Sequence, residues 1–451
     1  MKDINRRDFL KMAGAGAVAM GAAACGANNT KASNAEPQSD GKMEYRTNTV
    51  NGDKVSLLGY GCMRWQMIKD QDGKDIINQE SVNELVDRAI EAGINYFDTS
   101  PAYLQGQSEK ATGIALARHP RNSYYIATKL SNFRVFTKEA SEKMYHDSFE
   151  QMQTDYFDYY LMHSIGRGGY EAFKRRYEDN GMMDFVLKER EAGRIRQLGF
   201  SFHGSQPEFD QMIALQDKYH FDFVQIEMNY MDWQHADGIR NVNADYLYDC
   251  LDKREIPIVV MEPLLGGRLA SVPENVTRQF KEREPDKTVA SWAFRFVGSY
   301  PRILTILSGM TYREHLEDNL KTFMGFKPLT PEEIEFVKDM AGIMATYPTV
   351  NCTHCNYCMP CPFGIDIPEI FAHYNKHVNA GTVAQNKEQA NYNKLRKEYL
   401  LSYDKAIPTL RQADHCIGCG SCLSHCPQSI DIPKELHRID RYIEQLKQNK
   451  L

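Results

Sequence analysis

The chain has 451 residues, 42% of them hydrophobic and 25% charged, the balance of an ordinary soluble globular protein with room for two or three domains. Its formal net charge of −6 excludes a basic face for nucleic acid or for an anionic membrane as the main function.

The chain opens Asn5-Arg6-Arg7-Asp8-Phe9-Leu10-Lys11, and a weakly apolar Ala/Gly stretch runs from Met12 to Ala24. That stretch is too short and too small-residued for a stable membrane span. Twin arginine followed by Phe-Leu-Lys resembles a Tat export signal over residues 1–25. The resemblance implies a mature protein in the periplasm, or on the outer side of the membrane. Ala22-Ala23-Ala24-Cys25 reads as a lipoprotein processing site, and a lipidated Cys25 would anchor the chain. Simple cleavage stays open, because Ala22 stands where a large aliphatic residue is usual. Residues 26–43 are rich in Asn, Ser, Ala and Gly and read as a tether.

Residues 44–328 alternate short apolar runs with amphipathic helical patterns. First, Tyr45–Asn48 and Asp53–Ser56 flank Asn51-Gly52, the signal of a type I′ hairpin that would plug a barrel floor. Eight strands are then expected at Ser56–Gly61, Ile94–Asp98, Tyr124–Lys129, Asp158–His163, Ile195–Ser201, Phe223–Glu227, Ile256–Glu262 and Ile303–Ser308. Helical patterns fall between them, as at Ser81–Glu91, Ser108–Ala117, Lys138–Met152 and Thr288–Val297. Eight such units predict an α/β fold, a (β/α)8 TIM barrel. Polar residues at the C-terminal ends of barrel strands line active sites, which singles out Asp98, Lys129 and His163, with Tyr103 in the loop after the second strand.

Gly93-Ile94-Asn95-Tyr96-Phe97-Asp98-Thr99-Ser100-Pro101-Ala102-Tyr103, with Ser108-Glu109 and Gly113 after it, resembles the signature of aldo/keto reductases. Thr128-Lys129, Tyr159–His163, Gly193–Gly199, Gln225-Ile226-Glu227 and Pro263-Leu264 match the same family in the same order. The resemblance implies an oxidoreductase that interconverts a carbonyl and an alcohol on an aldehyde, ketone or sugar-like small molecule. Tyr103 would be the acid/base, Lys129 and Asp98 its tuning pair, and His163 the orienter of the substrate oxygen. A tyrosine titrates near 10, and a neighbouring ammonium lowers that value. The resemblance also implies NAD(P). Ser201 and Gln225 fall at the carboxamide positions, Met261 under the nicotinamide ring, and Gly309, Arg313, Asp318 and Asn319 along the phosphate and adenine side. Phe202, Met261, Gly309 and His315 depart from the usual Asn, aromatic, Lys and Arg. Arg64, Trp65, His203 and Trp233 lie near strand ends and are candidates to line the substrate pocket.

After the barrel, Thr330-Pro331-Glu332-Glu333 is a capping box with proline at the first helical position. It should start a linking helix within residues 329–350. Residues 351–451 carry eight of the eleven cysteines, in two runs. These are Cys352-x2-Cys355-x2-Cys358-x2-Cys361-Pro and Cys416-x2-Cys419-x2-Cys422-x3-Cys426-Pro. The second is the bacterial ferredoxin spacing, whose fourth cysteine serves the other cluster. One [4Fe-4S] cluster is thus expected on Cys352, Cys355, Cys358 and Cys426, the other on Cys416, Cys419, Cys422 and Cys361. Zinc with four cysteines usually pairs two CxxC knuckles across a longer gap, and local disulfides would close only very small loops. The segment resembles a mainly α, two-cluster ferredoxin-like domain. Both runs lead into the same tail, Gly364-Ile365-Asp366-Ile367-Pro368 and Ser429-Ile430-Asp431-Ile432-Pro433, as in an internal duplication.

The whole chain thus resembles aldo/keto reductases with a C-terminal ferredoxin-like domain. The resemblance implies a small-molecule substrate and an electron-transfer partner protein. The alternatives are a nicotinamide-only reductase with structural or sensing clusters, and a binding subunit of a redox complex. Isolated Cys62 and Cys250 read as small buried hydrophobes.

Overall fold

The computed structural model describes residues 41–236 and 241–451. The twin-arginine segment, Cys25 and nearly all of the expected tether lie outside these residues. Among those described, eight parallel strands close into a barrel. They are β1 (Leu58–Gly61), β2 (Tyr96–Asp98), β3 (Tyr125–Leu130), β4 (Phe157–Gly166), β5 (Ile195–His203), β6 (Phe223–Glu227), β7 (Ile258–Met261) and β8 (Ile303–Ser308). All eight fall where the apolar runs predict them. Ser56 belongs instead to a separate strand, Lys54–Ser56.

Side chains alternate between the two faces of a strand, so every second residue enters the barrel. Tyr96, Ala127, Tyr159, Leu161, Phe223 and Val259 share one buried interior cluster. Its rings interlock, with Tyr96 and Tyr159 centroids 5.0 Å apart and Tyr159 and Phe223 5.2 Å apart. Continuing the same alternation two residues further gives Asp98, Lys129, His163, Gln225 and Met261. The packed interior and the polar mouth are therefore one pattern.

The floor is closed by an antiparallel hairpin, Tyr45–Thr47 with Lys54–Ser56. Fully buried Val55 joins the interior cluster, and Asn48 Nδ2 donates to the Tyr159 hydroxyl at 3.1 Å. The turn is longer than the expected two-residue I′ form. Gly52 N donates to Asn48 O, and only Gly52, not Asn51, has positive φ. The Asn48 side chain accepts from Val50 N and widens the turn. A second hairpin, Met67–Lys69 with Asp75–Ile77, follows β1 and was not expected from the sequence.

The Thr330 capping box forms, and its helix runs Pro331–Ala345. Beyond it, helices Ile367–Asn379, Tyr392–Ala406 and Ile432–Gln448 enclose a separate core that includes Ile370, Phe371, Tyr399, Tyr403, Leu436 and Ile439. The duplicated tails open the first and last of these helices, with Pro368 and Pro433 in the first turn. Barrel and cysteine-rich part belong to one compact unit.

The first cysteine run seats on the loops at the C-terminal end of the barrel. Arg64 donates to Thr353 O at 2.6 Å and to His354 O at 3.2 Å. Arg268, in the loop after β7, donates to Thr349 Oγ1 and Asn351 Oδ1. Gln428 Nε2 reaches both carboxylate oxygens of Glu227 at the end of β6, at 2.8 and 3.0 Å. Arg167, after β4, donates to Pro427 O and Ser429 Oγ. The contact is tightest at Gly266 (φ +65°), where a Cβ would stand 2.1 Å from Thr353 O. We therefore expect Gly266→Ala to lower unfolding stability by about 1–3 kcal/mol. Gly342→Ala, which faces open space in the linking helix, should be neutral or stabilise by a few tenths up to about 1 kcal/mol. Denaturant titration of the two variants checks both.

Candidate active site

Lys129 Nζ donates to Asp98 Oδ1 at 2.6 Å and to Thr99 O at 2.8 Å. Both side chains are almost fully buried, at 1% and 3% exposure. Burial pushes the Asp98 carboxyl up and the Lys129 ammonium down, and each partner's opposite charge resists. Asp98 Oδ2 has no hydrogen-bond partner, so all of its fixing comes through the one oxygen. Lys129 Nζ also lies 4.9 Å from the Tyr103 ring centroid.

Tyr103 sits just after β2 in a short turn where Leu104 and Gln105 have left-handed φ of 49° and 57°. Burial raises its phenol well above the ordinary value, and electrostatic repulsion from acidic groups around it, Asp98 first, pushes the same way. At rest the phenol therefore keeps its proton. The lowered value expected from Lys129 alone is not found, because burial outweighs that one charge.

The His163 ring stands edge-on to Tyr103, with centroids 6.0 Å apart. Its Nδ1 is held by Ser131 Oγ at 2.5 Å and Ser100 Oγ at 3.3 Å, which leaves Nε2 for a ligand. Burial, with Lys129, Arg176 and His203 adding to it, holds the imidazole well below its usual range, so it is neutral. Ser164 and Glu262, directly after His163 and Met261, adopt left-handed φ of 50° and 54°. Such turns at the rim carry the chain away and cost of order 1–3 kcal/mol each.

The expected cofactor positions divide into two groups. Ser201 and Gln225 are paired neighbours on β5 and β6 and are buried. Ser201 Oγ accepts from Ser164 N at 2.8 Å, while Gln225 Oε1 is buried without a partner. Met261 ends β7 beside Glu227. On the outer side the residues engage the protein itself. Asp318 accepts from Thr288, Asn319 donates to Ser308 Oγ at 2.9 Å, and Arg313 lies 3.6 Å from Glu317. Gly309 faces Arg64, whose Cγ would stand 2.9 Å from an added Cβ.

Two of the four candidate lining residues are packing groups. Trp65 stacks on Tyr60 at 4.8 Å and bonds Thr112, and Trp233 lies against Tyr300 at 4.5 Å. His203 is mostly buried and 3.9 Å from Glu227, and Arg64 is spent on the cysteine run. Four further residues matter here, of which only Glu109 figures in the sequence pattern, as part of the motif after Tyr103 and without a role. Ser131 fixes His163, and its position two residues after Lys129 was a usable signal. Glu109 accepts from Thr128 at 2.5 Å and so steadies β3 beside Lys129. Burial pushes its carboxyl up to about 7 against that hydrogen bond. Phe133 lies 4.9 Å from the His163 ring and Tyr357 6.5 Å from Phe133; the two come from different parts of the chain and carry no local signal.

Two cavities lie within the cysteine-rich part. Cys352, Cys355, Cys358 and Cys426 line one, together with Ile367 and Phe371. Cys361, Cys416, Cys419 and Cys422 line the other, as does Cys358. Cys426 is buried and Cys419 is exposed, so the first set lies deeper than the second.

A neutral His163 has a direct kinetic consequence. In any turnover that uses this site, His163 should add no step to kcat as pH falls through 6.5, so wild type and His163→Gln should show the same acid limb. A loss of rate with its midpoint at 6.5 that disappears in His163→Gln would show instead that the imidazole charges there.

Comparison with known proteins places this geometry. The model of the aldo/keto reductase family matches residues 57–341. That of the 4Fe-4S dicluster domain matches residues 351–430, and that of the twin-arginine translocation signal residues 3–25. The last supports export across the cytoplasmic membrane. Among the described residues no helix is long and apolar enough to cross one. L-galactose dehydrogenase of Arabidopsis thaliana is 32% identical over 319 residues, covering 66% of this chain and 94% of the relative. Methylglyoxal reductase YeaE of Escherichia coli is 26% identical over 236 residues, covering 50% and 71%. The solved aldo-keto reductase AKR11C1 from Bacillus halodurans superposes with a TM-score of 0.53 at 20% identity, covering 66% of this chain and 96% of its own. The Klebsiella pneumoniae aldo-keto reductase solved in complex with NADPH gives 0.52 at 20%, covering 66% and 95%. The chain is an oxidoreductase that joins an eight-stranded barrel to an iron–sulfur domain, and it belongs to the aldo/keto reductase family.

Proposed function

We propose that the barrel interconverts a carbonyl and an alcohol on a sugar-like small molecule, and that two [4Fe-4S] clusters link this reaction to an electron-transfer partner outside the cytoplasm. The convergence of Asp98, Tyr103, Lys129 and His163 at the barrel mouth carries the reading. The name of the L-galactose dehydrogenase relative supports the sugar-like class.

In the reducing direction Tyr103, which holds its proton at rest, gives it to the oxygen as alkoxide character develops. Lys129 stabilises the phenolate left behind, and Asp98 keeps the ammonium in place. His163, held at Nδ1 by Ser131, donates from Nε2 to the same oxygen and aligns it. In the oxidising direction the same four groups act in reverse.

A nicotinamide, when bound, supplies or accepts hydride. The orphaned Gln225 Oε1 suits its carboxamide, with Ser201 and Met261 beside it. Gly309, Arg313, Asp318 and Asn319 would follow along the phosphate and adenine side, after release from their present partners. Iron–sulfur clusters carry one electron each, so the two electrons of one alcohol oxidation would pass to them singly through a flavin-like mediator on the partner side, with the hydride's proton released to water. The donor sets are Cys352, Cys355, Cys358 with Cys426, and Cys416, Cys419, Cys422 with Cys361, because each foursome shares one cavity. Thiolates are the soft ligands that iron–sulfur clusters prefer. The mature chain is held at the membrane by a lipid on Cys25.

Tyr103→Phe should lower turnover of L-galactose or DL-glyceraldehyde by about 100- to 10,000-fold with iron content unchanged. Steady-state kinetics measures this, with NADP or an artificial electron acceptor for L-galactose oxidation and NADPH for glyceraldehyde reduction, and unchanged turnover would remove Tyr103 as acid/base. Cross-ligation is tested by EPR of the dithionite-reduced protein. Cys361→Ser should perturb the signal that Cys419→Ser perturbs, and Cys426→Ser the signal that Cys352→Ser perturbs. A Cys361 effect grouped with Cys352 would refute the sets.

A further inference from the structure

Glu227 closes β6, where its register partner on β7 is Met261. Alternation puts it on the same face as Gln225, whose buried Oε1 has no partner. Both Glu227 carboxylate oxygens accept from Gln428 Nε2, at 2.8 and 3.0 Å, and Gln428 follows Cys426 by two residues. The Glu227 side chain is 15% exposed, and His203 Nδ1 on β5 stands 3.9 Å away. Glu227 therefore connects the mouth of the barrel with the chain beside Cys426.

A second carboxyl meets it there. Asp232, in the short helix after β6, is in hydrogen-bonding contact with Glu227. Asn229 Nδ2 donates to Asp232 Oδ2 at 2.6 Å and to Glu262 O at 3.2 Å, which pins Asp232 in place. Two ionised carboxylates only accept, so they cannot bond one another. The contact calls for a proton between them, and two like charges side by side favour keeping it. Burial pushes both carboxyls up, and Asp232 and Glu262 push Glu227 further.

The other charged groups around the pair tie it to the deeper cysteine set. Arg268, after β7, lies within electrostatic reach of Asp232, Glu227 and Cys352. Glu227 and Arg167 act on Cys426, and Glu262 acts on Cys355 while Arg64 acts on Glu262. His203 is neutral, because burial, helped by Arg167, holds its imidazole down at about 3. Three cysteines of the deeper set thus feel this group. In the outer set, the largest charges on Cys422 are those of Cys416, Cys419 and Cys361.

We propose that Glu227 and Asp232 form a proton site for the deeper cluster, and that the pair binds its shared proton more tightly when that cluster carries an electron. The balance is one proton from water for one electron, so the net charge at the junction stays constant. Such linkage is reciprocal: a bound proton holds the electron as firmly as the electron holds the proton. The inference rests on the reading that the clusters take part in the reaction.

The test uses the full mature chain, purified anaerobically with its clusters. Reductive titration with dithionite and redox mediators, followed by EPR, gives the midpoint potential of each cluster from about pH 6 to about pH 9. The deeper cluster is the one whose signal Cys352→Ser perturbs. Its midpoint should fall as pH rises through the titration of the pair, by half or more of the limit of about 59 mV per pH unit that one proton per electron sets. The outer cluster should fall less. Glu227→Gln and Asp232→Asn each leave a lone carboxyl that titrates below this window, so either should flatten the deeper cluster's slope. Iron content and the visible spectrum serve as the folding control. Should one variant lose iron, the other decides the matter. A flat wild-type line, a slope that both intact variants keep, or an equal slope at both clusters would overturn the proton site. Reduction of the clusters by L-galactose, followed in the same EPR signals, separates the two readings. If substrate fails to reduce them while the slope and its loss are seen, the clusters' part in the reaction falls and the proton site stands. If substrate reduces them and the line is flat, the proton site alone falls.

Discussion

The seating of Thr353 and His354 on the barrel rim sets the geometry of everything above the strands. Their carbonyls accept from Arg64, and Thr353 packs against Gly266 with no room for a side chain. Four residues later the chain places Tyr357 6.5 Å from Phe133, whose own ring lies 4.9 Å from that of His163. The cysteine-rich part therefore forms a wall beside the barrel's mouth. Shifting the seat would move Tyr357, the deeper cysteine set and the loop after β7 together. Glu227 and Gln428 on another edge resist such a shift, as do Arg268 and Arg167. Backbone carbonyls at Thr353, His354 and Pro427 and side chains at Thr349, Asn351, Ser429 and Gln428 share this junction, so it depends on both the path and the side chains of the cysteine-rich part.

Beneath that wall, Asp98 and Lys129 form a charge pair in an apolar surround. Such pairs add little net stability, because the desolvation cost offsets the attraction. Breaking one by removing a single partner is costly, at about 3–5 kcal/mol, because a lone buried charge remains. The pair makes sense as a way to keep an ammonium next to Tyr103 where water cannot screen it. The interior rings pay the stability cost below: Tyr96, Tyr159 and Phe223 pack the barrel and leave the polar layer only at the mouth. One strand alternation thus supplies a dry floor and a charged top.

That alternation explains why so much was legible from the sequence. The eight strands, the ends at Asp98, Lys129 and His163, and the cysteine spacing are all local patterns of two or three residues' period. The hairpin turn was misread because Asn48, not Asn51-Gly52, controls it through a bond to Val50 and another to Tyr159. Trp65 and Trp233 looked like pocket residues from their positions near strand ends, but their rings found partners in the outer layer. The phenol of Tyr103 is raised where the neighbouring lysine alone would lower it, since burial is a property of the assembled site. Phe133 and Tyr357 lie 224 positions apart, so no local window of sequence could join them.

The same junction bears on export. A twin-arginine signal hands over a chain that has already folded, and here folding means joining the two parts. Thr353, buried at the seat, is the residue between Cys352 and His354, so the first cysteine run and the barrel rim must settle in concert. A chain whose first run is not properly formed would leave Tyr357 misplaced and the Arg64 and Arg268 donors without their partners. Water would take the place of those partners, so each lost contact weakens the chain by the net worth of a hydrogen bond, about 0.5–1.5 kcal/mol.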